Sequence, residues 1–272
     1  CALPICVIVG LILSYLGVHV VGRGIVFVDL ALGQISSLGV AFSDYAGRGK
    51  TTIPILFTLL GAFLMSFIHI KDKRLKLEAV IGIIYAVASA ATVMLISKTA
   101  HGDSDIQEVL FGNILSVSWE QIRTTGIVFG VIAALHITFF KKFQVITESF
   151  SMPETQRAAS IGIRDARLWN FLFYISIGMS IVFAVRLSGV IPVFSFLIIP
   201  AVSAIMLSRK NLIIVLIAAI VSSLGAFLGL NVSYKYDFPA GSSIVAVLGG
   251  MFLLVSLFYI FRSFWGKKKI SE

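Results

Sequence analysis

The sequence predicts an all-α protein that crosses a membrane several times. Of its 272 residues 58% are apolar and only 13% are charged, against about 45–50% and about 25% in a soluble domain. The apolar residues are gathered into stretches of about 20, the length of a helix that crosses a bilayer. The alternating ten-residue pattern of a membrane β-barrel does not recur. We therefore expect one transmembrane domain over residues 1–272, a polytopic helical bundle with about eight or nine membrane-spanning segments.

Nine apolar segments carry this prediction. They are residues 1–21, 25–46, 52–70, 79–97, 122–140, 168–186, 190–207, 212–231 and 240–262. Backbone groups in hydrocarbon must bond within their own segment, so each is expected to be a helix. Segment 25–46 is the most polar of them, so it is expected to be broken or only partly exposed to lipid. Pro192 and Pro200 predict a bend or an interruption in the seventh segment.

Two glycine pairs have the small-xxx-small spacing that lets helices approach closely. They are Gly126 with Gly130, and Gly225 with Gly229. We expect helix contacts at both pairs.

The basic residues predict the orientation of the chain. Of the 22 Lys and Arg residues, 16 lie in the odd-numbered junctions and the C-terminal tail, and 6 lie in the even-numbered junctions. By the positive-inside rule the first group faces the cytoplasm. The net charge of +9 then fits anionic lipid headgroups and gives no support to nucleic-acid binding. The chain starts with Cys1 inside an apolar stretch, so we expect the first span to be incomplete.

No enzymatic motif is found. Residues 47–52 resemble the end of a phosphate-binding loop, but Asp44 stands where that motif requires glycine. The segment is also assigned to the external side, where ATP is absent. The sequence contains no HExxH, GxSxG or Cys/His metal-binding pattern. We expect a membrane subunit without a nucleotide site.

The long polar loop 141–167 predicts a short cytoplasmic helix over residues 151–162. Ser151 and Glu154 have capping-box spacing, and Gly162 is suited to end a helix. Two interpretations remain open at this point. The helix is either a surface element held by its own cap, or a coupling helix that docks into a motor subunit.

A few polar residues lie within or beside the apolar segments. Asp29 is ionisable in an apolar setting, which favours a functional role; the alternative is a residue at a helix end paired with Arg23. His19, His69 and His136 lie near the ends of spans and are expected to be interfacial.

Four stretches of the chain, taken in order, resemble the membrane permeases of ATP-binding-cassette importers for zinc, manganese or iron. The stretches are LGVHVVGR at 16–23 running into VDLALGQISSLG at 28–39, LFGNILSVSW at 110–119, GVIPVFSFLIIPA at 189–201, and DFPAG at 237–241. The resemblance covers nearly the whole chain.

This resemblance implies a permease that moves a divalent transition metal ion across the cytoplasmic membrane by alternating access. It implies a dimer of permeases, a separate ATP-binding subunit, an extracytoplasmic metal-binding protein and no permanent cofactor. Helix 151–162 would be the coupling helix, and its contacts with the ATPase would come from Glu154, Arg157, Ala158, Ala159 and Gly162. Two alternatives are a permease for a metal chelate such as haem or cobalamin, and a membrane assembly subunit that transports nothing.

One departure from the family pattern affects the metal path. Many members carry Asp and His four residues apart in the second segment, but alignment on Gly39 places Leu30 and Gln34 at those positions. Asp29 is one residue away, and on an ideal helix it lies about 140° from Gln34. We predict weak metal contacts along the path from Asp29 and Gln34, with Ser36 and Ser37. These are oxygen ligands, weaker toward zinc than imidazole.

Overall fold

Each of the nine predicted segments forms an α-helix, which confirms the all-α fold class. The structure, a computed structural model, describes residues 2–68, 77–97, 112, 114–150 and 163–268. Those residues form ten α-helices and a short 3₁₀ turn, Ile114–Ser116. The helices are α1 Ala2–Arg23, α2 Val28–Tyr45, α3 Thr52–Phe67, α4 Leu77–Ile96, α5 Trp119–Thr138, α6 Phe140–Ser149, α7 Ile163–Ser188, α8 Val190–Leu207, α9 Asn211–Tyr236 and α10 Ala240–Lys268.

Seven of the described helices are long and apolar enough to cross a membrane: α1, α4, α5, α7, α8, α9 and α10. The sequence predicted about eight or nine spans. The two remaining candidates are α3, which is apolar but has only 16 residues, and α2, which is rich in polar side chains. The chain is a multi-pass membrane protein, and α2 and α3 account for the difference in the count.

Helix α6 is the one described α-helix that the apolar pattern did not predict. It occupies residues 140–149 at the start of the loop assigned to the cytoplasm. Phe143 and Ile146 lie on its buried face, while Lys141 and Lys142 are exposed. Its mixture of charged and apolar residues is typical of a helix that lies against a bundle.

Helix α8 continues through Pro200, so of the two predicted outcomes, a bend or an interruption, the interruption is wrong. Gly189 precedes the helix with a φ of +79°, and Pro192 falls in the first turn. Amides of the first turn have no partner within the helix, so proline is tolerated there. Pro192 therefore removes no hydrogen bond from within α8.

The helices pack as two groups that meet along α7 and α8. Helices α1, α8, α9 and α10 form one group, and α2, α3, α4 and α7 form the other. In the membrane-spanning window of α8, 61% of the residues are buried, against 11% in α10. Helix α8 therefore lies inside the bundle. Helix α10 lies at its edge, where exposed Leu253, Leu254 and Phe258 suit a lipid environment.

Glycines set the closest helix contacts. A Cβ on Gly17 would collide with the backbone carbonyl of Leu197, so α1 and α8 touch through their backbones. A Cβ on Gly229 would lie 2.5 Å from the Cα of Ile244, and the second predicted glycine pair therefore packs α9 onto α10. The first pair, at 126 and 130, has open space where side chains would stand; no described residue covers it.

Candidate functional site

The second helix buries a carboxylate. Asp29 lies in the first turn of α2 and only 2% of it is exposed. Neither of its oxygens accepts a hydrogen bond within the described residues, although the amides of Asp29 and Leu30 lie near them. Burying a carboxylate without a partner is costly. Its position in the helix favours a negative charge, and the chemistry that would stabilise this charge further is a cation.

The other predicted path residues also lie inside α2. Gln34, Ser36 and Ser37 are all buried. The Ser37 hydroxyl donates a 3.0 Å hydrogen bond to the carbonyl of Gly33, whereas the Ser36 hydroxyl has no partner among the described atoms. Helix α2 therefore carries four oxygen-bearing side chains that are buried within the helical bundle.

These side chains do not all lie on one face of the helix. Asp29 and Ser36 are seven residues apart, so they share a face at a separation of about 10 Å along the axis. Gln34 lies about 140° from Asp29 around α2, which is continuous through both residues. A Cβ on Gly33, next to the shared face, would lie 3.3 Å from Cγ1 of Val190. The face with Asp29 and Ser36 is therefore directed toward the start of α8.

Arg23 bonds to other partners than Asp29. Its Nη1 donates to Oδ1 of Asn170 at 2.8 Å, and its Nε donates to the Thr147 hydroxyl at 3.2 Å. The guanidinium carbon lies 3.6 Å from the centre of the Phe173 ring, a cation–π contact. The ion pair between Asp29 and Arg23, which was the alternative interpretation of Asp29, is therefore not formed in this structure.

Two histidines expected at the membrane interface are buried instead. His19 is 4% exposed and His136 is 1% exposed. Nδ1 of His19 lies 2.8 Å from the Thr147 hydroxyl, and Nδ1 of His136 lies 3.3 Å from the Tyr15 hydroxyl. The interfacial prediction is wrong because α6 packs against α1, α5 and α7 and covers this end of the bundle.

We call this group of side chains the Arg23 cluster. It consists of Tyr15, His19, Arg23, His136, Thr147 and Asn170. Sequence reasoning missed it, although one signal was present: Tyr15, His19 and Arg23 are spaced four residues apart and so follow one face of α1. The partners come from α5, α6 and α7, more than 110 residues away, and no local pattern connects them.

The proposed ATPase contacts, Glu154, Arg157, Ala158, Ala159 and Gly162, lie outside the described residues, as does His69. Helix α6 ends at Ser149, immediately before them. Within the described ranges no three His, Cys, Asp or Glu side chains come together as a metal centre. The candidate site is thus a set of separate oxygen donors along α2, which could contact a cation in passing and would not trap it.

Comparisons with known proteins agree on one family. The sequence profile of the ABC 3 transport family matches residues 1–259. The "Manganese transport system membrane protein MntC" of Listeria innocua is 28% identical over 257 residues, covering 94% of this chain and 89% of that protein. The "High-affinity zinc uptake system membrane protein ZnuB" of Haemophilus influenzae is 28% identical over 252 residues, covering 93% and 94%.

A solved structure has a similar fold. The structure "PsaBC from Streptococcus pneumoniae in complex with Fab" superimposes with a TM-score of 0.78 at 26% sequence identity. The match covers 93% of this chain and 89% of that chain. The arrangement of helices described above is therefore shared with a solved structure.

Proposed function

We propose that this chain moves a divalent transition metal ion across the cytoplasmic membrane, because it belongs to the ABC 3 transport family and buries an unpartnered carboxylate in α2. The buried carboxylate of Asp29 carries the proposal. Similar proteins are named as manganese and zinc transport subunits, and a dication is the kind of ligand that compensates such a charge.

The donors along α2 favour manganese over zinc. Asp29, Gln34, Ser36 and Ser37 offer only oxygen, and carboxylate and carbonyl oxygen suit Mn²⁺, whereas imidazole suits zinc. The ion would meet Asp29 and Ser36 on one face and Gln34 on another, so these residues act as successive contacts. Weak successive contacts suit a path that must release its ion.

The energy for transport comes from a separate ATP-binding subunit. In this proposal that subunit docks on the cytoplasmic helix 151–162, through Glu154, Arg157, Ala158, Ala159 and Gly162. An extracytoplasmic metal-binding protein delivers the ion, and two copies of the permease enclose the path. The chain holds no permanent cofactor, because the metal is its cargo. The single transmembrane domain over 1–272 is part of the same proposal.

Substitution of Asp29 tests this function directly. We expect Asp29→Asn to lower manganese uptake by a factor of about ten or more, since the neutral amide keeps the shape and removes the charge that attracts the ion. The assay is uptake of radioactive Mn²⁺ in cells that express the complete transporter and lack their other manganese importers. Asp44→Asn is the matched control, because Asp44 is exposed on the same helix.

Uptake at the wild-type rate by Asp29→Asn, at equal amounts of protein in the membrane, would contradict the proposal. Uptake of haem or cobalamin in place of Mn²⁺ would support the chelate alternative. An absence of uptake of any of these by the wild-type transporter would support an assembly role.

A further inference from the structure

We propose that Thr147 is a positioning residue for transport: it holds the cytoplasmic end of α1 to α6, so that movement of α6 is passed to the α1–α2 turn and on to Asp29. This inference rests on the proposed transport function. It assigns a role to the Arg23 cluster, which lies apart from the oxygen donors of α2. The hydrogen bonds at Thr147 are its main support.

The Thr147 hydroxyl uses its whole hydrogen-bonding capacity. It lies 2.9 Å from the carbonyl of Phe143, 3.2 Å from Nε of Arg23 and 2.8 Å from Nδ1 of His19. A carbonyl only accepts and an arginine only donates, so the single hydroxyl hydrogen goes to Phe143 and the oxygen accepts from Arg23. With its hydrogen used, the hydroxyl can only accept from His19 as well. His19 therefore carries a proton on Nδ1.

These bonds join α6 to α1 at two points one turn apart. Arg23 is also tied to α7 through Asn170, so three helices meet at one guanidinium. The contact is tight as well as polar, since a Cβ on Gly22 would lie 2.8 Å from Cγ2 of Thr147. Helix α6 therefore cannot move at Thr147 without moving α1 or breaking one of these partly buried hydrogen bonds.

The turn that follows α1 passes such movement to Asp29. Residues 24–27 form a short connection closed by backbone hydrogen bonds, from the Ile25 amide to the Val20 carbonyl at 3.2 Å and from the Val28 amide to the Ile25 carbonyl at 3.1 Å. Asp29 is six residues beyond Arg23. Because the connection is short and bonded at both ends, the first turn of α2 follows the end of α1.

The other end of α6 leads to the proposed coupling helix 151–162, which starts two positions after the last residue of α6. Glu148 adds a second attachment, since its Oε1 accepts a 3.0 Å hydrogen bond from Nδ2 of Asn211 at the start of α9. This bond is exposed, whereas the bonds of Thr147 to α1 are partly buried. Helix α6 thus connects the start of the proposed docking segment to the end of α1 through the bonds of Thr147.

The test compares threonine variants that lose the same local bond. Thr147→Val removes the hydroxyl and keeps the shape, and Thr147→Ser restores the hydroxyl. Thr58→Val is the matched control, because Thr58 is fully buried and donates only to the carbonyl of Pro54, at 2.8 Å in its own helix. The complete transporter, with its ATPase and metal-binding protein, is reconstituted in liposomes, and the number of Mn²⁺ ions transported per ATP hydrolysed is measured.

We expect Thr147→Val to lower this ratio about fivefold or more, the lower end of coupling between distant sites, while ATP hydrolysis stays within about twofold of wild type. Thr147→Ser should restore the ratio and Thr58→Val should keep it. If Thr147→Val does not assemble, Arg23→Met removes the donor that the Thr147 hydroxyl accepts from and is expected to lower the ratio in the same way.

A ratio for Thr147→Val equal to that of Thr58→Val would overturn the inference. A parallel fall in uptake and ATP hydrolysis at constant ratio would overturn it too, because a merely structural role predicts that result. Failure of the wild-type transporter to move Mn²⁺ would instead contradict the proposed function, so the two failures are distinguishable.

Discussion

The buried guanidinium of Arg23 makes a specific prediction about stability. Asn170 is the acceptor for Nη1, and Nη2 has no partner among the described atoms. Asn170→Leu therefore leaves a buried cation with one hydrogen bond, to Thr147. A hydrogen bond to a charged group contributes about 1.5–3 kcal/mol, so we expect a loss of about 2 kcal/mol. For a chain of this size that corresponds to a fall in Tm of about 4–8 °C.

The same substitution should be nearly neutral once the charge is gone. In an Arg23→Met background no cation remains to be satisfied, so Asn170→Leu should change the free energy of unfolding by less than about 0.5 kcal/mol. Arg23→Met alone should have a modest effect, because it loses hydrogen bonds and a cation–π contact but also relieves the cost of burying a charge. The coupling between the two positions is then about 2 kcal/mol.

Thermal unfolding of the detergent-purified protein, followed by intrinsic fluorescence, measures all four members of this cycle. Asn231→Leu is the control, because Asn231 is exposed and bonds only to the carbonyl of Phe227 in its own helix. An equal fall in Tm for Asn170→Leu with and without Arg23 would refute the reasoning, since additivity means that the two side chains do not depend on each other.

Two further predictions concern packing and orientation. Gly229→Ala should destabilise the protein by about 1–3 kcal/mol, because its Cβ would lie 2.5 Å from the Cα of Ile244. Gly126→Ala is the control and should be neutral, because its Cβ would meet nothing within 4 Å. Equal Tm values for the two variants would contradict the packing of α9 on α10. In a cysteine-free background, Arg48→Cys should react with a membrane-impermeant maleimide in intact cells, and Glu154→Cys should react only after permeabilisation; labelling of position 154 in intact cells would reverse the orientation assigned to the chain.

Most of the fold could be predicted from the sequence because apolar length is a local property. Nine runs of apolar residues gave nine helices, and the boundaries differ by a few residues. Helix α6 was missed because its ten residues mix charged Lys141 and Lys142 with apolar Phe143 and Ile146. Such a mixture is too polar for a membrane span, so the segment was assigned to the polar loop. Pro200 was expected to bend or interrupt its helix, and the helix continues through it; neighbouring groups in a helical bundle can satisfy the backbone group that a proline leaves free.

The candidate site could be predicted only in part. Polar residues in an apolar segment are conspicuous, and the four that the sequence analysis singled out on α2 are buried: Asp29, Gln34, Ser36 and Ser37. Their contact with a metal ion stays a prediction. The surroundings of His19 could not be found in the same way. Its position near the end of a span indicated the interface, and distant residues of α5, α6 and α7 bury it. Packing between helices decides which polar residues become buried, and this packing depends on residues that are distant in the sequence.

The polarity of α2 has a consequence for how the protein is made. A helix that carries Asp29 in its first turn and buries Gln34 and several serines is costly to release into lipid on its own, because polar side chains in a span disfavour insertion. Its neighbours α3, α4 and α7 enclose it in the finished bundle, and α7 starts at Ile163, more than 100 residues after α2 ends. We therefore expect α2 to wait beside α1 and the translocation machinery until α7 has been synthesised, and truncated chains that end before α7 to be degraded.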